Sequence, residues 1–195
     1  MGSVEEFFDT LFKGSHGYLG AAFSKPSTEG AATFKNRVYK LPDLTPFYKD
    51  VAEASSKGYN CYFVPAVLGG TRRIKANFHE SRVVWVDFDK PLPSGEVPPT
   101  PVDPSIVVQS SPGKYHMYWL LDEAVGPWPT EGANKHLIEA VGDGADKSGF
   151  DCTQLLRVPG TLNYKYDPPV EVQIVKSDLT KIYPVASFPA PFQRG

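Results

Sequence analysis

The stretch Arg82-Val-Val-Trp-Val-Asp-Phe-Asp89 is the most apolar run of the chain and ends in two acids. A run this rich in valine and aromatic residues reads as a core strand, and core strands do not ordinarily carry carboxylates. Successive side chains of a strand point to opposite faces. Val83, Trp85, Asp87 and Asp89 therefore share one side, and Val84, Val86 and Phe88 the other. The two acidic Cα atoms are expected roughly 6 to 7 Å apart. That spacing lets both side chains converge on divalent cations, and without a cation the charges repel. The expectation is a carboxylate pair mounted on a rigid strand.

The chain has 195 residues, 41% hydrophobic and 22% charged, which suits one folded domain, including one made of two small lobes around a cleft. Apolar runs stay short of a membrane span, and Glu5 and Glu6 stand where a secretory segment would carry positive charge, so an intracellular protein is expected. Cys61 and Cys152 are far apart with no second ligand at metal spacing, which excludes a zinc knuckle. A net charge of −2 excludes coating of nucleic acid by bulk electrostatics and leaves room for a local basic surface.

In chain order, Ser3-Val-Glu-Glu6 forms a capping box for a helix to about Lys13, closed by Gly14. Residues 18–24 and 33–41 read as an antiparallel ribbon. Thr45-Pro46 reads as an N-cap and first turn of a second helix, with Phe47, Val51 and Ala54 inward and Gly58 at its end. Residues 60–67 read as a buried strand. The loop that follows carries Arg72, Arg73 and Lys75 beside Gly69 and Gly70 just before the acidic strand, an arrangement suited to a polyanionic substrate. A proline-rich stretch to Pro104 is expected to be a long exposed loop.

Residues 106–121 read as a hairpin turning at Pro112-Gly113, with Ser111 opposite Lys114. Counting back pairs Gln109 with His116, Val108 with Met117 and Val107 with Tyr118, and gathers Gln109, Ser111, Lys114 and His116 on one face. A helix over 130–141 is expected to be capped by Thr130. Asp151 then leads into Leu156-Arg-Val-Pro-Gly-Thr-Leu-Asn-Tyr-Lys165, where Arg157, Asn163 and Lys165 surround a tight turn. Residues 170–175 read as a late strand.

Three motifs in this order resemble the archaeo-eukaryotic primase superfamily, specifically the primase-polymerase domains of plasmid and phage replication proteins. Val86-Asp87-Phe88-Asp89 resembles its metal-holding Asp-x-Asp motif, Ser111-Pro-Gly-Lys-Tyr-His116 its Ser/His motif, and Asp151 with 156–165 its third motif. The resemblance covers about residues 60–165. It implies an α/β (α+β) fold, an RRM-like sheet lobe packed on an N-terminal α/β lobe. Residues 1–183 would be the catalytic domain and 184–195 a proline-rich tail or linker. It implies template-dependent nucleotidyl transfer in DNA replication, with Asp87, Asp89 and Asp151 holding Mg2+ or Mn2+. Asp146 is the alternative third acid. Ser111, Lys114, His116, Arg72, Arg73, Lys75, Arg157 and Lys165 would bind nucleotide or template. The implied partners are a single-stranded DNA template, a primer strand, NTP or dNTP, and a helicase or helical accessory domain. An inactive nucleic-acid-binding module of the same fold and a metal-dependent nuclease are the competing readings.

Overall fold

A computed structural model of the chain describes residues 3–27 and 33–192. Helix α1 (Val4–Phe12) starts where Ser3 accepts a bond from the Glu6 amide, and the chain leaves it through Gly14 at φ 68°. Strands β1 (Gly17–Ser24) and β2 (Phe34–Leu41) pair antiparallel, as the alternation predicts. In α2 (Thr45–Ser56) Thr45 is the first helical residue and not the cap; Asp43 accepts from the Thr45 amide instead. The Asp43 carboxylate thus satisfies the first helical amide, one of the orphan donors at a helix start.

Strands β3 (Asn60–Leu68), β4 (Phe78–Phe88), β5 (Ile106–Ser111) and β6 (Lys114–Val125) follow, then α3 (Pro127–Val141). The remaining strands are β7 (Leu156–Arg157), β8 (Leu162–Asn163), β9 (Val170–Glu171), β10 (Gln173–Ser177) and β11 (Ile182–Tyr183). The main sheet runs β10-β5-β6-β4-β3-β1-β2, with β11 parallel to β6 and β7 against β3. β3 and β4 pair only at Val67–Glu80 and Leu68–Phe78. Beyond that point they diverge, and β7 takes the vacated edge of β3 at Tyr62 and Phe63. The sheet thus splits into two lobes that open toward the acidic end of β4.

The alternation along β4 holds. Val83 and Trp85 join the core formed with α1 and α2, while Val84, Val86 and Phe88 join the core beneath α3. Helix α1 is the joint between lobes. Phe7 meets Phe63 of β3 at 5.8 Å and Tyr118 of β6 at 5.3 Å, both edge to face. Burying side chains of this size contributes about 1.5–3 kcal/mol each, so the lobes are held by apolar packing as well as by the strand ladder.

Four further expectations change. The hairpin turn pairs Ser111 with Lys114, but a bulge at Ser110 then pairs Gln109 with Tyr115, Val108 with His116 and Val107 with Met117. One extra residue in one strand flips what precedes it, so Gln109 leaves the His116 face. Helix α3 begins at Pro127 with Gly126 as its cap; Thr130 is buried and donates to the Gly126 carbonyl. The proline-rich stretch before β5 is not a free loop, because Tyr115 donates to the Gly95 carbonyl and Trp119 to that of Val102. Residues from Pro184 were expected to lack packed structure, yet Val185–Ser187 form a 3-10 turn and Phe188 is buried against Trp119. A single aromatic anchor needs no periodicity, which is why pattern reading passes over it.

Candidate active site

Where β4 and β3 diverge, a pocket of about 180 Å³ opens, lined by Asp87 and Asp89 on one side and by Tyr62 and Arg157 on another. Ser111, Lys114 and His116 come to it from the hairpin, and Asn163, Lys165 and Tyr166 from the segment after β7. Residues from each of the three motifs read from the sequence therefore line one concavity.

Asp87 lies directly across the ladder from His116, whose Nε2 is 3.5 Å from Asp87 Oδ1. Burial and the Arg157 charge push His116 down to about 3, so this contact is a neutral imidazole against a carboxyl group, not an ion pair. His116 Nδ1 and the Tyr118 hydroxyl are buried without a hydrogen-bond partner. Burial, then the like charges of Asp89 and Asp146, push the Asp87 carboxyl up to about 7 against the pull of Arg157 and Lys114. A buried acid held up by two neighbouring carboxylates is a group short of positive charge.

Lys114 Nζ lies 3.3 Å from Asp89 Oδ1. Burial opposes its charge, but the bond to Asp89 and contact with Tyr166 hold the ammonium above the usual lysine range. The Tyr166 and Ser111 hydroxyls are hydrogen-bonded at 3.1 Å, and the ability of Ser111 to donate to the phenolate, with Lys114 and Lys165 nearby, draws the phenol below its ordinary value. Arg157 donates to Asn60 Oδ1 at 2.8 Å, and its guanidinium stands 4.9 Å over the Tyr62 ring. Asn60 also accepts from the Tyr164 amide at 2.8 Å, and Asn163 donates to the Ser110 carbonyl at 2.8 Å. These bonds tie the third segment to both lobes and fix the cationic wall of the pocket.

Asp151 is not brought to the acid pair. Thr153 donates to its Oδ1 through both amide and hydroxyl, and Lys75 sits 3.1 Å from its Oδ2. Burial works against ionisation, but these partners keep the Asp151 carboxyl below the usual range. Lys75 also lies 3.4 Å from Glu131, so its ammonium already stands on the carboxylates of the Glu131, Asp151 and Cys152 cluster. Asp146 is the third acid whose charge acts on Asp87, and Ser148 donates to its Oδ1 through both amide and hydroxyl. The Asp146 amide donates to the Asp87 carbonyl at 2.8 Å, Ala145 bridges to Phe88, and the Asp89 amide donates to Gly144.

Arg72, Arg73 and Lys75 do not line the acidic pocket. The Gly69 amide donates to the Asn77 carbonyl, which folds the loop back on itself, and Arg73 reaches Asn36 and the Thr153 carbonyl. Arg72 and Arg73 line a separate groove with Asn36 and Val38. Asn60, Tyr62 and Tyr166 were not anticipated. Tyr166 follows Lys165 directly and could have been found by extending the third motif one residue; Asn60 and Tyr62 sit in a strand whose pattern reads only as core.

The donor set fits divalent metal. Asp87 and Asp89 share the pocket, Asp146 is near enough for its charge to act on Asp87, and carboxylate oxygens are the donors that Mg2+ and Mn2+ prefer; burial first, then the neighbouring acids, disfavours a bare charge on Asp87.

The family model described as RepB DNA-primase N-terminal domain matches residues 87–188. No curated protein sequence matches the chain. Among solved structures, the AEP domain of the cyanophage S-2L primase-polymerase is similar at TM-score 0.69 and 16% identity, covering 95% of each chain. Primase RepB′ is similar at TM-score 0.59 and 19% identity over 89% of this chain and 56% of that one. Its catalytic domain in complex with initiator DNA is similar at TM-score 0.57 and 20% identity, covering 83% of this chain and 78% of that one. The archaeo-eukaryotic primase fold expected from the motifs is the fold observed.

Proposed function

The chain belongs to the RepB DNA-primase N-terminal domain family of plasmid and phage replication, and from that premise we propose that it catalyses DNA-templated, metal-dependent nucleotidyl transfer as a primase-polymerase. The observation that carries the reading is the pairing, within one small pocket, of the Asp87/Asp89 acids with a wall of phosphate-binding groups, Lys114, Ser111 and Tyr166. Acids alone would serve any metal site. Acids facing a lysine, two hydroxyls and a second lysine suit a nucleoside triphosphate.

Asp87, Asp89 and Asp146 would hold the metals. When bound, Mg2+ or Mn2+ would supply Lewis acidity toward the attacking 3′-hydroxyl and the triphosphate. Lys114 and Lys165 offset charge on the phosphates, and Ser111 and Tyr166 donate hydrogen bonds to them. His116, neutral in its buried setting, acts as a hydrogen-bond donor beside Asp87, not as a cation. Arg157 is held by Asn60 with its guanidinium facing the pocket, where it restrains the nucleotide. Asp151 is not used in this scheme, because it does not line the pocket and its carboxylate is paired with Lys75.

A pure binding module is disfavoured, since a pair of acids in its cleft would oppose phosphate binding and contribute nothing to it. Hydrolysis is disfavoured by the lysines and hydroxyls that face the acids, groups suited to holding the phosphates of a nucleotide. Incubating a labelled primer on a single-stranded template with NTP or dNTP and Mg2+ or Mn2+ separates the three readings. Lengthening that is lost in Asp87→Ala supports transfer. Shortening assigns a nuclease, and no change with retained DNA binding assigns a binding module.

A further inference from the structure

His116 and Tyr118 stand two residues apart on β6, so their side chains share one face of the strand. Across the ladder they face Asp87 and Trp85 of β4, and on the other side Val108 and Ile106 of β5. Both are buried, Tyr118 completely. Among the described residues neither His116 Nδ1 nor the Tyr118 hydroxyl has a hydrogen-bond partner. An unpaired buried polar atom is costly, and here one strand face carries two of them side by side.

The groups packed around the Tyr118 hydroxyl leave it few choices. Phe7, which meets the Tyr118 ring edge-on, and Ile106 and Val108 offer no polar side-chain atom. Trp85 has its one donor committed to the Gly149 carbonyl at 2.8 Å. Burial first, then the charge of Asp87, holds the Tyr118 phenol above its ordinary range, so the hydroxyl lies within the field of the acidic pocket. The polar side chains left on this face are Asp87 and His116.

A neutral imidazole has one N–H and one acceptor nitrogen, and the bond that one nitrogen makes fixes the role of the other. His116 Nε2 stands 3.5 Å from Asp87 Oδ1. An ionised carboxylate only accepts, so the ring hydrogen belongs on Nε2 and Nδ1 must itself accept a bond. Tyr118 carries the O–H that can supply it. The two are not bonded directly, and one water that accepts from the hydroxyl and donates to Nδ1 satisfies both. We propose that Tyr118 is a positioning residue whose hydroxyl, through one buried water, holds His116 in the tautomer that directs its Nε2 hydrogen toward Asp87 and the nucleotide pocket. In the other tautomer a lone pair would face the carboxylate and the pocket would lose a donor. The idea rests on the proposed nucleotidyl transfer for its purpose, but its first readout needs no turnover.

That readout is nitrogen NMR of the full chain labelled at histidine, with Mg2+ at about pH 8, above the Asp87 value of about 7. His116→Gln identifies the His116 signals among those of the four histidines. In the parent the hydrogen is expected on Nε2, with Nδ1 bare. Tyr118→Phe keeps the ring against Phe7 and removes only the hydroxyl. It is expected to move the His116 signals toward the Nδ1–H form and to lower kcat/KM for nucleotide about tenfold. Tyr48→Phe is the control, because it removes another buried, unpaired hydroxyl, on α2 and outside the pocket. It is expected to change neither reading. The proposal is overturned if the parent carries the hydrogen on Nδ1, a result that needs no variant to fold. It is equally overturned if Tyr118→Phe leaves the His116 signals in place, or lowers kcat/KM no more than Tyr48→Phe does. A parent that shows the expected tautomer and its loss in Tyr118→Phe, but extends no primer, fails the transfer reading alone. A parent that extends while Tyr118→Phe keeps the tautomer fails the positioning role alone.

Discussion

At Asp87, burial and two neighbouring acids raise the carboxyl to about 7, far above its unfolded value near 3.9. An acid raised on folding favours the folded state most below its unfolded pKa, and that advantage is lost as pH rises through the folded value. The metal-free protein should therefore lose stability between about pH 4 and pH 7, whereas Asp87→Asn should not show this loss. At about pH 8 the variant is expected to be more stable than the parent by about 2–4 kcal/mol. Mg2+ or Mn2+ should recover most of that difference at pH 8 and none near pH 4. Denaturant titrations across pH check this, and parallel curves for parent and variant would contradict it. The third acid is tested in the same setting. Asp146→Asn is expected to lower extension at least about a hundredfold if it is a ligand. Asp151→Asn should leave the rate within about tenfold, since it only frees Lys75 and Thr153.

The elements show what a sequence reveals and what it hides. The faces of β4 were legible because alternation depends only on the pleat, and the capping box at Ser3 because it is a local hydrogen bond. The Ser111–Lys114 turn was legible from Pro-Gly. The register beyond it was not, because the bulge at Ser110 is held by tertiary contact: Asn163 reaches across to the Ser110 carbonyl. The basic loop misled for a similar reason, since nearness in sequence to Asp87 did not foretell its fold back onto Asn77. Asp146 stood only five residues from the acid that the motif favoured, and it is the one that backbone bonds tie to β4. At the turn, Gly113 has φ 78°, and a Cβ there would stand 2.7 Å from Pro91. Gly113→Ala is expected to cost about 1–3 kcal/mol and to raise the KM for nucleotide, because Lys114 follows it directly. A thermal melt and initial rates check both.

Across the whole molecule, the pocket exists because one sheet splits and α1 holds its halves together. Phe8 is fully buried among Phe7, Phe47 and Phe63. Phe8→Ala is expected to cost about 3–5 kcal/mol, a large share of a domain's stability, and to show as a lowered urea midpoint. The two-lobe architecture was legible from the order of the motifs; the joint between lobes was not, because a short amphipathic helix carries no sign of which strands it will cover. The measurement that bears most directly on the central claim is extension of a labelled primer on a single-stranded DNA template by the parent chain and by Asp87→Ala, each with Mg2+ or Mn2+. Template-dependent lengthening by the parent, absent in a folded Asp87→Ala, is the expected result; equal lengthening by both, or none by the folded parent with either metal, would contradict it.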